Sequence, residues 1–174
     1  MQPAVYLNEE QAELCAQCVT AAAPKTLSSD QLSGLQLVCS GHDGLVLLHT
    51  GGGKTLAGSL PTLSELGRAP TPGLHTLYVA PLKALAADIK RNLSTPVTEM
   101  DLPVRIEDRT GDTPSSRKRR QRADPPHILL TTPESLALMI SYEDAPRIFA
   151  GLQRIVIDEI HALADSKRGD QLML

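Results

Sequence analysis

Aromatic side chains are scarce in this chain: its 174 residues include no tryptophan and one phenylalanine, and aromatics make up 2% of the sequence. The hydrophobic core must therefore be built from Leu, Ala, Val and Ile, and a surface on which bases stack against aromatic rings is not expected. The sequence also lacks an apolar stretch of about 18 residues and a secretory signal, so it predicts no transmembrane helix and a cytoplasmic location.

Neither sign of charge dominates the sequence, and cysteine is rare. Seventeen Lys and Arg residues against 20 Asp and Glu leave a net charge of −3, so any binding of nucleic acid must be local. Three cysteines exclude a disulfide framework. We interpret Cys15 and Cys18 as small buried side chains on one helix face, because no second pair or histidine cluster completes a zinc site. His42, His75 and His127 have no metal-ligand spacing.

Short apolar runs alternate with helical patterns along most of the chain. Strands buried on both faces are predicted at Gly44–His49, Leu74–Ala80, His127–Leu130 and Ile155–Ile157, with a weaker strand at Val104–Glu107. Helices are predicted at residues 9–22 and 31–39, at Lys54–Leu66 and Leu82–Leu93, and after Thr132, which is the predicted N-cap. This alternation predicts an α/β fold with a mostly parallel central sheet flanked by helices.

A glycine-rich loop follows the first predicted strand and opens a helix. The segment is Thr50, Gly51, Gly52, Gly53, Lys54 and Thr55. Consecutive glycines allow backbone N–H groups to point at phosphate oxygens, and the helix adds its positive N-terminal end. Lys54 can then reach the β- and γ-phosphates, and the Thr55 hydroxyl can hold Mg²⁺. Leu48 stands where the usual pattern has a small residue. The alternative is a glycine-rich turn with a surface lysine.

Two carboxylates follow the last predicted strand, at Asp158 and Glu159. Ligands of open α/β sheets bind beyond the carboxyl ends of the strands, which predicts that both residues lie near the glycine-rich loop. An Asp in this position can hold the Mg²⁺ of a nucleotide, and a neighbouring Glu can orient or deprotonate a water molecule. The alternative is a solvated acidic strand end.

Together with several further segments, these motifs resemble those of the DEAD/DEAH-type helicases of the second helicase superfamily. Their amino-acid sequences are most similar to those of the large helicase-related group. The segment Tyr78–Leu85 resembles motif Ia, Arg109–Thr113 resembles motif Ib, Leu130–Leu136 resembles the TPE motif, and Asp158–His161 resembles motif II. The resemblance implies a RecA-like P-loop NTPase domain over residues 28–174, preceded by a helical extension over residues 1–27. It also implies ATP and Mg²⁺ as cofactors and nucleic acid as a partner.

The resemblance further implies a role for each matching residue. ATP phosphates would contact the glycine-rich loop, and Asp158 and Glu159 would bind Mg²⁺ and promote hydrolysis. His161 would couple the nucleotide state to a second domain. Gln31 lies 17 residues before Leu48, a spacing similar to that of the family's adenine-reading glutamine. The implied contacts to the nucleic-acid backbone are Pro81, Leu82, Lys83, Thr110, Gly111, Thr132, Pro133 and Glu134.

The sequence departs from the family pattern in two places. Leu48 and His49 replace the usual Ala-Pro, and the sequence ends at Leu174, shortly after motif II. We therefore expect a helicase fragment that lacks the second RecA-like domain and hydrolyses ATP barely, if at all, by itself. A truncated gene, a split open reading frame and an excised domain are alternative origins, and a separately encoded second RecA-like domain is one candidate partner. The alternatives are a nucleotide- and nucleic-acid-binding module without helicase activity and a P-loop kinase of small molecules. Motifs Ia, Ib and II argue against the kinase.

A run of basic residues lies between motif Ib and the TPE motif. Arg117–Arg122 carries five positive charges in six positions, and residues 105–122 contain seven basic and three acidic residues. The run is typical of a solvated helix face, and contact with phosphates is the alternative reading. At a helical period, only some of these side chains point toward one strand.

Overall fold

A computed structural model of the protein describes residues 54–164. Several predictions fall outside these residues: the helices at 9–22 and 31–39, the strand Gly44–His49, the cysteine pair, Gln31, and Thr50–Gly53. Within the described part of the chain, no helix is both long and apolar enough to cross a membrane.

Helices and strands alternate along the described chain. The elements are α1 (Lys54–Arg68), β1 (Thr76–Val79), α2 (Lys83–Glu99), β2 (Ile106–Arg109), α3 (Ser115–Ala123), β3 (Ile128–Thr131), α4 (Pro133–Ile140), α5 (Ala145–Ile148), β4 (Arg154–Ile157) and α6 (Ile160–Ala164). They belong to two compact units. Among the described residues, the first unit contains 54–70 and 92–103, and the second contains 71–91 and 104–164.

The second unit contains a sheet of four strands in the order β2-β3-β1-β4. Every neighbouring pair is parallel, and Thr76 of β1 is level with both Ile128 of β3 and Arg154 of β4. The predicted α/β fold with a parallel sheet is therefore confirmed. Because all four strands run in the same direction, their carboxyl ends lie at one edge of the sheet, where ligands of such sheets bind.

The two central strands, β1 and β3, are buried at every position, as their apolar sequences predict. One hydrophobic cluster joins these strands to α4 and α5. Its buried members are Leu74, Leu77, Val79, Leu129, Leu136, Met139 and Ile148. Thr132 is the N-cap of α4 and Pro133 occupies its first turn, which confirms the predicted start of this helix.

The outer strands differ from the predictions. β2 begins at Ile106, two residues later than the predicted strand, and its half-buried Glu107 and Asp108 have charged or polar partners on neighbouring helices. In β4, Ile155 and Ile157 are 56% and 40% exposed, so the prediction of burial on both faces was wrong for this strand. The physical reason is position: β4 is the last strand of the described sheet and pairs only with β1 there.

Helix α2 continues six residues beyond its predicted end at Leu93. The proline at position 96 is typical of a helix end, because its ring disfavours helical conformation in the preceding residue. Pro96 lies inside the helix nevertheless, and its carbonyl accepts a hydrogen bond of 3.0 Å from the N–H of Met100. A single proline therefore removes one hydrogen bond here without ending the helix.

Candidate functional site

The residues predicted to bind ligands in the second unit follow the carboxyl ends of the four strands. Pro81–Lys83 follow β1, Thr110 and Gly111 follow β2, Thr132–Glu134 follow β3, and Asp158 and Glu159 follow β4. Because the strands are parallel and adjacent, the fold brings these four motifs to the same edge of the sheet.

Asp158 is buried, with 9% of its surface exposed, and both of its carboxylate oxygens accept hydrogen bonds. The hydroxyl of Tyr78 donates to Oδ2 at 3.1 Å, and the backbone N–H of Glu159 donates to Oδ1 at 2.9 Å. This burial contradicts the alternative of a solvated acidic strand end. A buried carboxylate with fixed donors is instead a preorganised acceptor, because burial of such a group is costly without partners.

Glu159 forms the turn between β4 and α6. Its backbone adopts a φ of 48°, the left-handed conformation that residues with a side chain seldom adopt. Its Oε2 lies 3.2 Å from Nδ1 of His161, so the proposed catalytic and coupling residues are in contact. Left-handed conformations of residues other than glycine cluster at functional sites, where the surrounding structure holds them.

Lys83 and Gly111, from motifs Ia and Ib, meet at the edge of the sheet. Nζ of Lys83 lies 2.7 Å from Oδ2 of Asp112, and a Cβ added at Gly111 would lie 3.6 Å from the same Nζ. The carbonyl of Gly111 accepts a 3.0 Å hydrogen bond from Nζ of Lys118 on α3. Two ammonium groups therefore flank one exposed glycine, an arrangement suited to an anionic backbone.

Thr110, Thr132 and Pro133 are buried, and the side chains of both threonines are removed from solvent. The N–H of Thr110 donates to Oγ1 of Thr113 at 2.9 Å, and the hydroxyls of Thr132 and Ser135 are 3.3 Å apart. These contacts shape the loops that follow β2 and β3. The two threonines predicted to contact nucleic acid are therefore loop-forming residues, whereas Leu82, Lys83 and Gly111 are exposed.

Helix α1, in the first unit, begins at Lys54 as the glycine-rich loop predicts. The carbonyl of Thr55 accepts a 2.6 Å hydrogen bond from the hydroxyl of Ser59 within the first turns of the helix. The N-terminal end of this helix supplies partial positive charge, which favours phosphate binding.

The basic run forms helix α3, and most of its charges have partners inside the protein. The observed contacts are Lys118 to the carbonyl of Gly111, Arg120 to Glu107, Arg122 to Asp144, and Arg117 at 3.9 Å from Asp108. Arg119 is exposed and makes no such contact within residues 54–164. The helix face that the sequence predicted to be solvated is exposed, and it also forms three ion pairs that attach α3 to β2 and to the segment before α5.

Tyr142 and Asp144 complete this attachment, and the sequence analysis had not identified either residue. The guanidinium of Arg122 lies 4.3 Å from the centre of the Tyr142 ring and donates to Asp144 at 2.6 Å. The hydrogen bond from Arg122 holds the pKa of Asp144 below its usual value. Arg109 also donates to the Tyr142 hydroxyl at 3.0 Å. Such contacts between distant residues leave no local pattern in a sequence.

The described side chains fit a magnesium ion that is bound mainly through a nucleotide. Among residues 54–164, no group of three or more His, Cys, Asp or Glu side chains is arranged to hold a metal by itself. Asp158 accepts two hydrogen bonds, and an ionised carboxylate offers about four lone-pair sites. Mg²⁺ typically takes one or two carboxylates together with phosphates and water, so one acidic side chain such as Asp158 would be sufficient.

Comparison with known proteins places these motifs in a family. The family model of the DEAD/DEAH box helicase matches residues 28–174. The chain is 40% identical to the Lhr helicase/probable uracil glycosylase of Mycolicibacterium smegmatis, with 88% of this chain and 11% of the relative covered. It is 38% identical to the ATP-dependent helicase Lhr-Core of Methanocaldococcus jannaschii, with 86% of this chain and 20% of the relative covered.

A solved structure gives the same result. The structure of Mycobacterium smegmatis helicase Lhr bound to ssDNA and AMP-PNP aligns with a TM-score of 0.81 and 37% identity, over 91% of this chain and 21% of that one. The present chain therefore spans a small part of the length of these relatives. Because the family model covers most of the sequence, the chain belongs to the DEAD/DEAH box helicase family.

Proposed function

We propose that the chain is the ATP-binding motor domain of an ATP-dependent DNA or RNA helicase. The observation that carries this proposal is the common edge of the parallel sheet, where motifs Ia and Ib, the TPE motif and motif II follow four adjacent strands. Family membership and the glycine-rich loop before α1 support it. In this proposal the ligand is ATP, and a cytoplasmic location stays a prediction.

ATP phosphates are proposed to bind the backbone N–H groups of Thr50–Gly53 and the N-terminal end of α1. Lys54 supplies a charge to the β- and γ-phosphates, the Thr55 hydroxyl is a ligand of Mg²⁺, and Gln31 reads the adenine. An equivalent nucleotide, AMP-PNP, is present in the related Lhr structure, which supports this assignment.

Asp158 and Glu159 are proposed to perform the chemistry. Asp158 would hold Mg²⁺, and the ion would supply positive charge that stabilises the phosphates. Glu159 orients a water molecule and accepts its proton as the water attacks the γ-phosphate, and the bond to the bridging β-phosphate oxygen breaks to release ADP. The hydrogen bond between the N–H of Glu159 and Asp158 couples the orientations of these two neighbours.

The nucleic acid is proposed to lie along the carboxyl edge of the second unit, against Leu82, Lys83 and Gly111. Lysine contacts to phosphates release counterions, so binding should be sequence-independent and should weaken steeply with salt. The scarcity of aromatic residues leaves little stacking energy to compensate. The related Lhr structure contains ssDNA, which supports this class of partner.

A second RecA-like domain is the proposed partner for turnover, and His161 is proposed to transmit the nucleotide state to it. In this proposal the second domain supplies an arginine finger, a group that contributes roughly 10³–10⁵-fold to the rate of phosphoryl transfer. We therefore expect the 174-residue chain by itself to bind ATP but to hydrolyse it barely and to unwind no duplex. Robust ATP turnover that Glu159→Gln abolishes would contradict this expectation.

The test of the ATP site is Lys54→Ala. Loss of a charge-assisted contact is worth about 1.5–3 kcal/mol, so nucleotide affinity should fall roughly 10–150-fold. The measurement is a titration of a fluorescent ATP analogue in the presence of Mg²⁺. Lys90→Ala is the control, because it also removes a lysine charge but its Nζ bonds Asp108. Equal affinity of the wild type and Lys54→Ala would refute the assignment of the loop.

A further inference from the structure

A buried hydrogen bond connects motif Ia to motif II. The hydroxyl of Tyr78 donates to Oδ2 of Asp158 at 3.1 Å, and the tyrosine and the aspartate are 2% and 9% exposed. The two residues are 80 positions apart in the sequence. The strand register explains how they meet: Tyr78 of β1 is level with Val156 of β4, two residues before Asp158.

The hydrogen bond fixes one side of the Asp158 carboxylate while the backbone fixes the other. Oδ1 accepts from the N–H of Glu159, and Oδ2 accepts from Tyr78. Two donors on the two oxygens define the plane of the carboxylate and select one rotamer. A metal ligand held in this way loses little conformational freedom when it binds a cation, because the cost of ordering was met during folding.

We propose that Tyr78 is a positioning residue that orients Asp158 toward the Mg²⁺ of the bound nucleotide. This inference rests on the proposed function, in which Asp158 holds that ion. Hydrogen-bonding partners of metal ligands fix the orientation of the ligand and typically contribute 10–100-fold to metal affinity or activity. Tyr78 itself touches neither the metal nor the nucleotide in this proposal.

A purely structural role for Tyr78 makes a different prediction. A phenylalanine would fill nearly the same volume, and the hydroxyl would then serve only to satisfy a buried carboxylate. In that case Tyr78→Phe would lower the stability of the fold and leave the dependence of nucleotide binding on Mg²⁺ unchanged. The two roles therefore separate in a measurement of metal dependence.

The experiment measures the Mg²⁺ concentration that half-saturates binding of a fluorescent, non-hydrolysable ATP analogue to the full chain. The variants are Tyr78→Phe, Tyr142→Phe and Asp158→Asn. Tyr142→Phe is the matched control, since it also removes a tyrosine hydroxyl with a hydrogen-bonding partner, here Arg109. We expect the half-saturating concentration to rise roughly 10-fold in Tyr78→Phe and to stay unchanged in Tyr142→Phe.

The outcomes distinguish this inference from the proposed function. If Asp158→Asn changes the Mg²⁺ requirement and Tyr78→Phe does not, the positioning role is wrong and the proposed site stands. If Asp158→Asn leaves the requirement unchanged, the proposed magnesium ligand is wrong, and the role of Tyr78 is overturned with it. A rise in Tyr142→Phe equal to that in Tyr78→Phe would also overturn the positioning role.

Tyrosine fluorescence gives a second readout that does not depend on activity. The chain has no tryptophan and three tyrosines, so the emission of Tyr78 is the difference between the wild type and Tyr78→Phe. A carboxylate that accepts a hydrogen bond from a phenol quenches its emission. Mg²⁺ bound to Asp158 draws electron density from this carboxylate and weakens the quenching, so Mg²⁺ added with AMP-PNP should change the emission of the wild type and of Tyr142→Phe but not that of Tyr78→Phe. An unchanged emission in all three proteins would contradict the proposal.

Discussion

Nζ of Lys83, the first residue of α2, lies 2.7 Å from a carboxylate oxygen of Asp112, in the loop after β2. Both side chains are more than half exposed, and the pair stands beside the exposed Gly111. An anionic strand that binds Lys83 must compete with Asp112 for the same ammonium group. We therefore expect the ion pair to lower the affinity of this edge of the sheet for phosphate.

Replacement of Asp112 by Asn should strengthen binding of a single-stranded oligonucleotide. An exposed ion pair is worth at most about 1 kcal/mol, so we expect up to a roughly fivefold increase in affinity at low salt. One additional phosphate contact should also steepen the dependence of log affinity on log salt by about 0.7. Fluorescence anisotropy at several salt concentrations measures both quantities.

The control for Asp112→Asn is Asp88→Asn. Asp88 also belongs to an exposed ion pair, with Arg91 at 2.9 Å, but both partners lie along α2 rather than after a strand end. Its replacement changes the net charge equally and should leave the affinity nearly unchanged. Equal effects of the two variants would indicate a general effect of net charge and would contradict a specific role for Asp112.

Replacement of Arg122 by Ala should lower the melting temperature, whereas Arg119→Ala should not. The guanidinium of Arg122 lies over the ring of Tyr142 and pairs with Asp144, so its loss removes two contacts between α3 and the segment before α5. Arg119 has the same chemistry on the same helix but makes no such contact in the described chain. The melting temperatures of the two variants are measured by thermal unfolding monitored with circular dichroism. Equal melting temperatures would contradict the structural role of Arg122.

The basic helix illustrates what a sequence can and cannot predict. The charge run Arg117–Arg122 is typical of a solvated helix face and does form a helix, because a run of charges is a local signal. Their partners were not predictable, since Glu107, Asp108 and Asp144 come from other parts of the chain. The same limit applies to β2, whose Glu107 and Asp108 gave a weak strand signal because helix residues, not an apolar neighbour, cover them.

The candidate site also has features that the sequence predicted and features that it did not. The order of strands, glycines and acidic residues predicted which segments lie at the carboxyl edge, because parallel strands share that edge by geometry. The contact between Tyr78 and Asp158 required the register of β1 against β4, which no local pattern encodes. The one available signal was a tyrosine inside an apolar strand, whose hydroxyl needs a partner when it is buried.

The stability of the chain should fall as the pH falls below 6.5 because of His127. Nδ1 of His127 accepts a 2.9 Å hydrogen bond from the N–H of Arg105 and must therefore be unprotonated. Burial and the charge of Arg105 lower the pKa of His127 below 6.5, and the opposing charge of Asp124 does not reverse this shift. The unfolded chain then binds more protons than the folded chain in this range, so protonation favours unfolding.

His127→Asn tests this contribution, because the amide oxygen of asparagine can accept the same hydrogen bond without titrating. We expect the urea midpoint of the wild type to fall between about pH 7.5 and about pH 5.5 by more than that of His127→Asn. At the higher pH both proteins should have similar midpoints. Identical changes in the two proteins would show that His127 does not titrate in this range.

Glu159 should be less favourable for folding than a glycine at the same position. Its φ of 48° is left-handed, a conformation that costs an L-residue roughly 1–2 kcal/mol and costs glycine almost nothing. A comparison of Glu159→Gly with Glu159→Ala measures the free-energy cost of this backbone conformation, because both variants lose the carboxylate and its contact with His161. We expect Glu159→Gly to be more stable by about 1 kcal/mol, a difference of roughly 2–4 °C in melting temperature for a chain of this length.

Asp101 provides the control for the backbone effect. Its φ is 50°, and it follows the end of α2 rather than β4. The Gly and Ala variants at Asp101 should differ in melting temperature by a similar amount, while both keep the nucleotide-binding properties of the wild type. A glycine at position 159 would relieve strain yet remove the group proposed to activate water. Equal stabilities of Glu159→Gly and Glu159→Ala would show that the turn after β4 relaxes to an ordinary conformation and stores no strain.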